Sequence, residues 1–324
     1  MKQSAAGNIV VIGLYYYDFI HKAYSRLDQL DRCAIVRPTS GIYRLVKKAA
    51  LSHELRKFFE LPGALREAVV RAEMAKVDFS ATDYVILFES PEAMSGEYAK
   101  YIKERYKIPC CLIMLNPLSK RLEEDLLRVS NYYDHIITCN QEDALKRAGW
   151  SYYPSCYSAD IRFNSVRPIN DLCLICEDKG RGKRAIEIYN KAVKYGVSCD
   201  FVIVNPSRET RKTAPSGIEL RGKPMPYEEC IARTLKSNCL LELVLDNKEY
   251  ATLRTMEAVV YGRKLLTTNS AIRKCAYFDK DNMRTIHQNN DVDCDFIKSS
   301  FVGKPNKQAF SVDDLIDYID GLIL

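Results

Sequence analysis

Two stretches of the sequence carry residues suited to holding a phosphorylated ligand. The first is Lys179-Gly-Arg-Gly-Lys-Arg184, between an apolar run and a helical segment. Glycines let a backbone approach a phosphate closely. A helix start adds unpaired N–H groups and the positive end of its dipole. Lys179, Arg181 and Arg184 contribute positive charge. The loop is neither GxGxxG nor a Walker loop, since no Gly-Lys-Ser/Thr follows; a solvated basic turn is the alternative reading. The second stretch runs from Ala251 to Asn269 and reads as an amphipathic helix feeding a buried strand. Glu257 lies one turn into that helix, where its carboxylate can accept from two ribose hydroxyls. Glu249 precedes it with E-x7-E spacing, a spacing that also arises by chance in a Glu-rich chain.

A different chemistry lies nearer the start. Tyr15-Tyr-Tyr-Asp18 follows the first apolar run. Aromatic rings suit the faces of sugars, and Asp18 has the chemistry of a general base. Glu89 and Asn116 each follow a later apolar run. For both acids the alternative is loop capping or a surface carboxylate. His21 and His135 read as structural. Cys173-Leu-Ile-Cys176 has CxxC spacing but lies inside an apolar run, with no second CxxC and no nearby His, so it reads as strand rather than zinc site. Asp291-Val-Asp293, the nearest pattern to a metal-binding Asp-x-Asp, reads as a surface loop, and no metal is expected.

Positioning these residues requires strands that deliver loops to one edge. Asn8–Leu14 is short and β-branched, as a buried parallel strand should be. Further apolar runs at Cys33–Val36, Asp83–Phe88, Cys110–Leu115 and Tyr133–Cys139 alternate with helical stretches over Phe19–Leu30, Tyr43–Lys76, Ala93–Tyr106 and Lys120–Val129. Asn140 caps a short helix that stops at Gly149. The aromatic stretch over 150–170 reads as a linker. Strand and helix then alternate again: strands at Leu172–Cys176, Asp200–Val204, Cys239–Leu245 and Lys264–Thr268; helices at Ala185–Tyr195, Pro226–Ser237 and Thr252–Tyr261. Val312–Leu324 is an amphipathic helix with Leu315, Ile316, Ile319, Leu322 and Ile323 on one face. This alternation is that of an open α/β sheet, where ligands bind beyond the carboxyl ends of the strands.

The 324 residues suit two domains, and 47% hydrophobic content suffices for two cores. A net charge of +6 is too mild for a dedicated nucleic-acid binder. The twelve cysteines are scattered, Met1–Gly7 lacks a signal pattern, and no apolar run is long enough to span a bilayer. A cytoplasmic protein with reduced thiols is expected. Tyr43–Lys76 mixes basic and apolar residues; it reads as a plain surface helix or as a peripheral contact with the inner face of the membrane.

Arg254-x-x-Glu257-Ala258-x-x-x-Gly262-Arg-Lys-Leu-Leu-Thr-Thr-Asn269 resembles the donor-site helix and strand of bacterial GT-B glycosyltransferases, most closely a group associated with capsule and lipopolysaccharide-core synthesis. Tyr133–Asp143 with Gly149, Tyr153 and Pro154 resembles the end of that group's first domain. Pro226–Leu245, Tyr277–Ile286, Asp295-Phe-Ile297 and the final helix resemble further parts of its second half. The likeness covers about half the chain, mainly after residue 130. It implies two Rossmann-like domains facing across a cleft, over 1–157 and 158–311, with 312–324 crossing back as a closing helix. It implies a nucleotide-sugar donor, a glycan or lipid-linked acceptor, and no cofactor. Glu257 would hold the donor ribose, Thr252 and Arg254 would lie near the diphosphate with the Lys179–Arg184 loop, and Lys179 or Arg184 would neutralise the leaving group. Asp18 and Glu89 are the acceptor-side acids.

Lys248, Glu249 and Tyr250 stand where members carry Gln and Gly, and Ile175–Asp178 replaces a usual Phe-x-Gly. These departures motivate a second reading, a degenerate member that binds a nucleotide or glycan without turnover. A third is an epimerase acting on free nucleotide sugar.

Overall fold

The computed structural model describes residues 8–37, 63–163, 166–245, 251–286 and 292–324. Most of the expected Tyr43–Lys76 helix, the Lys248–Tyr250 turn, Asp291 and Met1–Gly7 lie outside the described residues. The chain divides into two compact units, Met1–Ser158 with Val312–Leu324, and Ala159–Ser311.

The first unit contains a parallel sheet of β1 (Asn8–Ile12), β2 (Cys33–Ile35), β3 (Thr82–Phe88), β4 (Cys110–Met114), β5 (His135–Thr138) and β6 (Trp150–Tyr152), in the spatial order β2-β1-β3-β4-β5-β6. Every residue of β4 is buried, as are Tyr84–Phe88 of β3. Strands covered on both faces need such unbroken apolar runs. β6 falls in the stretch read from sequence as a linker. It pairs with β5 at the sheet edge, its three residues half-buried or exposed, so it lacks the apolar signature of an inner strand. The expected Ala93–Tyr106 helix is two, Pro91–Ser95 and Glu97–Tyr106, divided at Gly96 with φ of 73°. A side chain there would press on Val129 and Tyr132.

The final helix, Val312–Ile323, belongs to the first unit. Leu315, Ile316 and Ile319 are buried, whereas Leu322 and Ile323 are half-buried. Asp320 accepts from Arg32 at 2.8 Å and from the Tyr84 hydroxyl at 2.7 Å, and Asp313 pairs with Arg26 at 3.0 Å.

The second unit contains β7 (Asn170–Glu177), β8 (Cys199–Val204), β9 (Ile218–Arg221), β10 (Ser237–Glu242), β11 (Lys264–Thr267) and β12 (Met283–Thr285), again all parallel, in the order β12-β11-β10-β7-β8-β9. The architecture is α/β, with two Rossmann-like sheets. Each reverses direction once, between β1 and β3 and between β7 and β10. At such a switch point the flanking connections leave on opposite faces and open a crevice beyond the strand ends.

Candidate functional site

At the switch point of the second unit, β7 runs into the Asp178–Gly182 loop. Lys179 and Gly180 are both left-handed, at φ of 39° and 87°. The turn is tied down by Asp178, whose carboxylate accepts from the amides of Gly180 at 3.1 Å and Gly182 at 3.0 Å, from the Ser207 amide at 2.7 Å and from the Thr210 hydroxyl at 2.6 Å. Burial alone would raise this carboxyl, but the Ser207 amide, the Thr210 hydroxyl and the Gly182 amide outweigh it and hold it at about 2. Gly182 begins the helix Gly182–Lys194, and a Cβ there would sit 2.1 Å from Thr210 Oγ1. Its glycine identity thus reflects close packing inside the unit. Two of the loop amides already serve a carboxylate of the protein itself.

The basic residues of this loop differ in their freedom. Arg181 donates to the carbonyls of Glu177 at 2.9 Å and Leu243 at 3.0 Å, bridging the two strand ends at the switch point. It clamps the backbone at the switch point. Lys179 pairs with Glu177 at 2.7 Å on an exposed surface. Arg184, in the first turn of the helix, is half-buried and engaged within the protein.

Across the switch point, β10 ends at Glu242, a buried carboxylate that the sequence reading missed. It accepts from the hydroxyls of Thr252, Thr255 (3.0 Å) and Thr267. Thr252 is also the N-cap of the helix Leu253–Tyr261, its oxygen accepting from the Arg254 amide at 3.2 Å. Glu242 therefore fixes where that helix starts. The helix presents Arg254 and Glu257 to Tyr227 and Thr234, which begin and end the helix Tyr227–Thr234. Arg254 Nη1 lies 2.5 Å from Glu257 Oε2 and 2.6 Å from Thr234 Oγ1, and the Tyr227 hydroxyl donates to Glu257 Oε1 at 2.7 Å. Glu257 is 1% exposed. Burial pushes its carboxyl up, against the pull of Arg254 and Tyr227. Both its oxygens are occupied, so receiving a ribose requires this pair to open.

The first unit presents a different edge. Gly13, at φ of 84°, ends β1 so close to the β3 exit that a Cβ would lie 2.6 Å from Ser90 Oγ. Glu89 accepts from the amides of Leu115 at 2.8 Å and Asn116 at 3.0 Å, and from the Asn116 side chain at 3.0 Å. Its carboxylate holds the β4 exit loop. Asp18 begins the short helix Asp18–Ala23 and is exposed. Tyr16, Tyr17 and Phe19 form an exposed aromatic run, with ring centroids 4.6 Å and 5.5 Å apart in turn. Beside them Asp28 accepts from the Tyr15 hydroxyl at 3.0 Å and faces His21 Nε2 at 2.9 Å, while the Tyr15 and His21 rings lie 4.0 Å apart. The sequence reading passed over this cluster, because the helix containing His21 ends before the 3₁₀ turn containing Asp28.

Among the described residues no group of His, Cys, Asp and Glu has the arrangement of a metal site, and Cys173 and Cys176 are free thiols on β7. Asp293 caps the helix Cys294–Lys298, accepting from the Phe296 amide at 2.8 Å. Among the described residues no helix is long and apolar enough to cross a membrane.

By sequence, no family model and no curated protein matches the chain. By structure, it is similar to the UDP-GlcNAc 2-epimerase of Methanocaldococcus jannaschii, with a TM-score of 0.55 over 96% of this chain and 99% of that one, at 12% identity. A putative UDP-N-acetylglucosamine 2-epimerase from Listeria monocytogenes gives 0.52 over 98% and 97%, at 9% identity. A variant of TarM from S. aureus, in complex with Fondaparinux, alpha-GlcNAc-glycerol and UDP, gives 0.51 over 80% and 59%, at 10% identity. The chain thus spans about three-fifths of the length of the TarM chain. At these identities the likeness is one of fold, and the fold is GT-B.

Proposed function

We propose that the protein is a metal-independent glycosyltransferase that moves a sugar from a nucleotide-sugar donor to a glycan or lipid-linked acceptor of capsule or lipopolysaccharide type. The observation that carries this reading is the group at the second unit's switch point. The Lys179–Arg184 loop follows β7 on one side of that point, and the Thr252-capped helix with Arg254 and Glu257 follows β10 on the other; the crevice beyond such a point is where open α/β sheets bind ligands. Glu257 is the group for the ribose, and Arg254, once released from it, is the cation for the diphosphate. Lys179 and Arg184 are further basic groups of the loop for the diphosphate, and Thr252 adds a hydroxyl at the helix start. Asp18 and the aromatic run are the acceptor-side candidates; Glu89 supports them by shaping the neighbouring loop. The TarM likeness, with UDP and a glycan in that protein's structure, supports the same substrate classes here.

Thermal stabilisation by UDP, GDP, ADP, CMP and dTDP, and by several of their sugars, tests this. A ligand at about a hundred times its Kd adds about 2.7 kcal/mol to native stability. One nucleotide should stabilise the protein, and Glu257→Ala should lose that response. Binding retained in Glu257→Ala would remove Glu257 from the site. Binding without turnover toward any acceptor would favour the degenerate binder, for which the occupied oxygens of Glu257 already speak.

A second reading has its own support. The two epimerase chains match this one almost end to end, whereas the TarM chain is much longer. Incubation with a nucleotide sugar alone separates the two: an epimerised sugar formed without acceptor supports the epimerase, and transfer that requires an acceptor supports the transferase.

A further inference from the structure

We propose that Tyr227 and Arg254 form a latch over Glu257, opened only by a ligand that carries both a vicinal diol for Glu257 and a diphosphate for Arg254. The inference rests on the nucleotide-sugar reading. It deepens that reading by naming the donor class, a ribonucleoside diphosphate sugar, and a residue that limits its affinity.

All the residues of the latch belong to the second unit. Each oxygen of Glu257 has a different partner: the Tyr227 hydroxyl donates to one, and Arg254 pairs with the other. The Glu257 side chain is 1% exposed and that of Arg254 16%. Tyr227 is 8% exposed and opens its helix directly after a stretch in which Lys223, Pro224 and Pro226 stand in solvent. Both partners are therefore more exposed than the carboxylate between them.

The neighbouring clamps of this unit are made differently. Arg181 donates to the carbonyls of Glu177 and Leu243, and Arg263 to those of Val166 and Leu235. Moving either cation would unpair main-chain groups. Glu242 accepts from Thr252, the cap of the following helix. The latch bonds instead join side chain to side chain: Tyr227 to Glu257, and Arg254 to Glu257 and Thr234. Breaking them takes side-chain rotation and leaves the helix and strand hydrogen bonds intact.

Charge decides what can open the latch. Taking one partner from a buried ion pair leaves the other charge desolvated and uncompensated. A nucleoside can satisfy Glu257 with its hydroxyls, but it strands Arg254. Pyrophosphate can satisfy Arg254, but it strands Glu257. A ribonucleoside diphosphate supplies both replacements in one molecule: a hydroxyl for each carboxylate oxygen, and an anion for the guanidinium. A 2′-deoxy nucleotide lacks one of those hydroxyls. The ligand brings no new acceptor for the displaced Tyr227 hydroxyl, so the bond from Tyr227 to Glu257 works against binding. The exchange is wholly non-covalent.

The test is titration of the full chain, by calorimetry or ligand-detected NMR, with UDP, 2′-deoxy-UDP, uridine and pyrophosphate. If the stabilisation panel selects another base, the same set is made with that base. Tyr227→Phe removes the hydroxyl and keeps the ring. It should tighten UDP and uridine by about threefold to tenfold, the worth of one hydrogen bond, and give pyrophosphate no gain. A hydroxyl that only positions Glu257 for the ribose predicts the opposite sign, with UDP and uridine both weakened. The wild type gives a second readout that needs no variant: 2′-deoxy-UDP should bind at least tenfold more weakly than UDP. Unchanged or weaker UDP binding in Tyr227→Phe, an equal gain for pyrophosphate, or 2′-deoxy-UDP that matches UDP would overturn the latch and leave the nucleotide site standing. Absence of binding by every nucleotide of the panel, to wild type and variant alike, would sink the nucleotide-sugar reading and the latch with it.

Discussion

The two sheet edges are built to opposite plans. On the second unit, Asp178, Arg181, Glu242, Arg254 and Glu257 all spend their hydrogen bonds on the protein's own backbone and side chains. On the first, Tyr16, Tyr17 and Phe19 stand in solvent beside a half-buried histidine. The former plan fixes loop geometry through saturated buried networks, which are costly to disturb because any group left behind stays desolvated. The latter displays side chains whose loss barely touches the fold. The same switch-point topology therefore supports one edge that must be opened and another that stands open.

The comparison breaks most visibly at Arg254. Arg254→Ala leaves Glu257 buried without its cation, and such a loss typically costs about 3–5 kcal/mol. Urea unfolding should register it as a fall in midpoint; a change below about 1 kcal/mol would mean that Glu257 is readily solvated or protonated and that the network is not saturated. Next in size is Asp178. Its folded pKa of about 2 lies below the unfolded value of about 3.9. Its contribution is thus complete above about pH 4 and is lost as pH falls through 2. Melting temperature followed from pH 5 to pH 2 should fall less steeply in Asp178→Asn than in the parent, from a lower starting value. Parallel curves would show that the loop does not depend on the charge. The smallest stability effect belongs to the other edge: Tyr17→Ala should stay within about 0.5 kcal/mol of the parent, while weakening acceptor saturation in a transfer assay. A large destabilisation there would erase the contrast.

The sequence announces the inner strands through unbroken apolar runs, and β3, β4, β7, β8, β10 and β11 all lie where such runs occur. Of the four edge strands, β6, β9 and β12 are three or four residues long and only partly buried, and composition carries little trace of them, whereas the equally short β2 lies in the apolar run Cys33–Val36. The same division holds at the candidate site. The glycines and basic residues of the Lys179–Arg184 loop are conspicuous in one dimension, but what fixes the loop is Asp178 reaching Ser207 and Thr210, a contact made only once β8 lies beside β7. Glu242 likewise gains its role from threonines on a helix and on a neighbouring strand. Arg181 reads as a free cation until Leu243 is brought alongside. Local chemistry is thus legible where a loop speaks for itself, and hidden where strand order supplies the partner.

The return of Val312–Ile323 to the first unit also sets an order of assembly. The second unit is one uninterrupted stretch of chain, whereas the first needs a segment made after that stretch to supply Asp313 and Asp320. On a ribosome adding about 5–20 residues per second, the earlier part waits several seconds or longer for its last helix. During that interval Tyr84 and Arg32 lack the carboxylate they share in the finished molecule. The first unit to be translated is therefore the last to be completed, and maturation of the aromatic edge is tied in time to synthesis of the whole second unit.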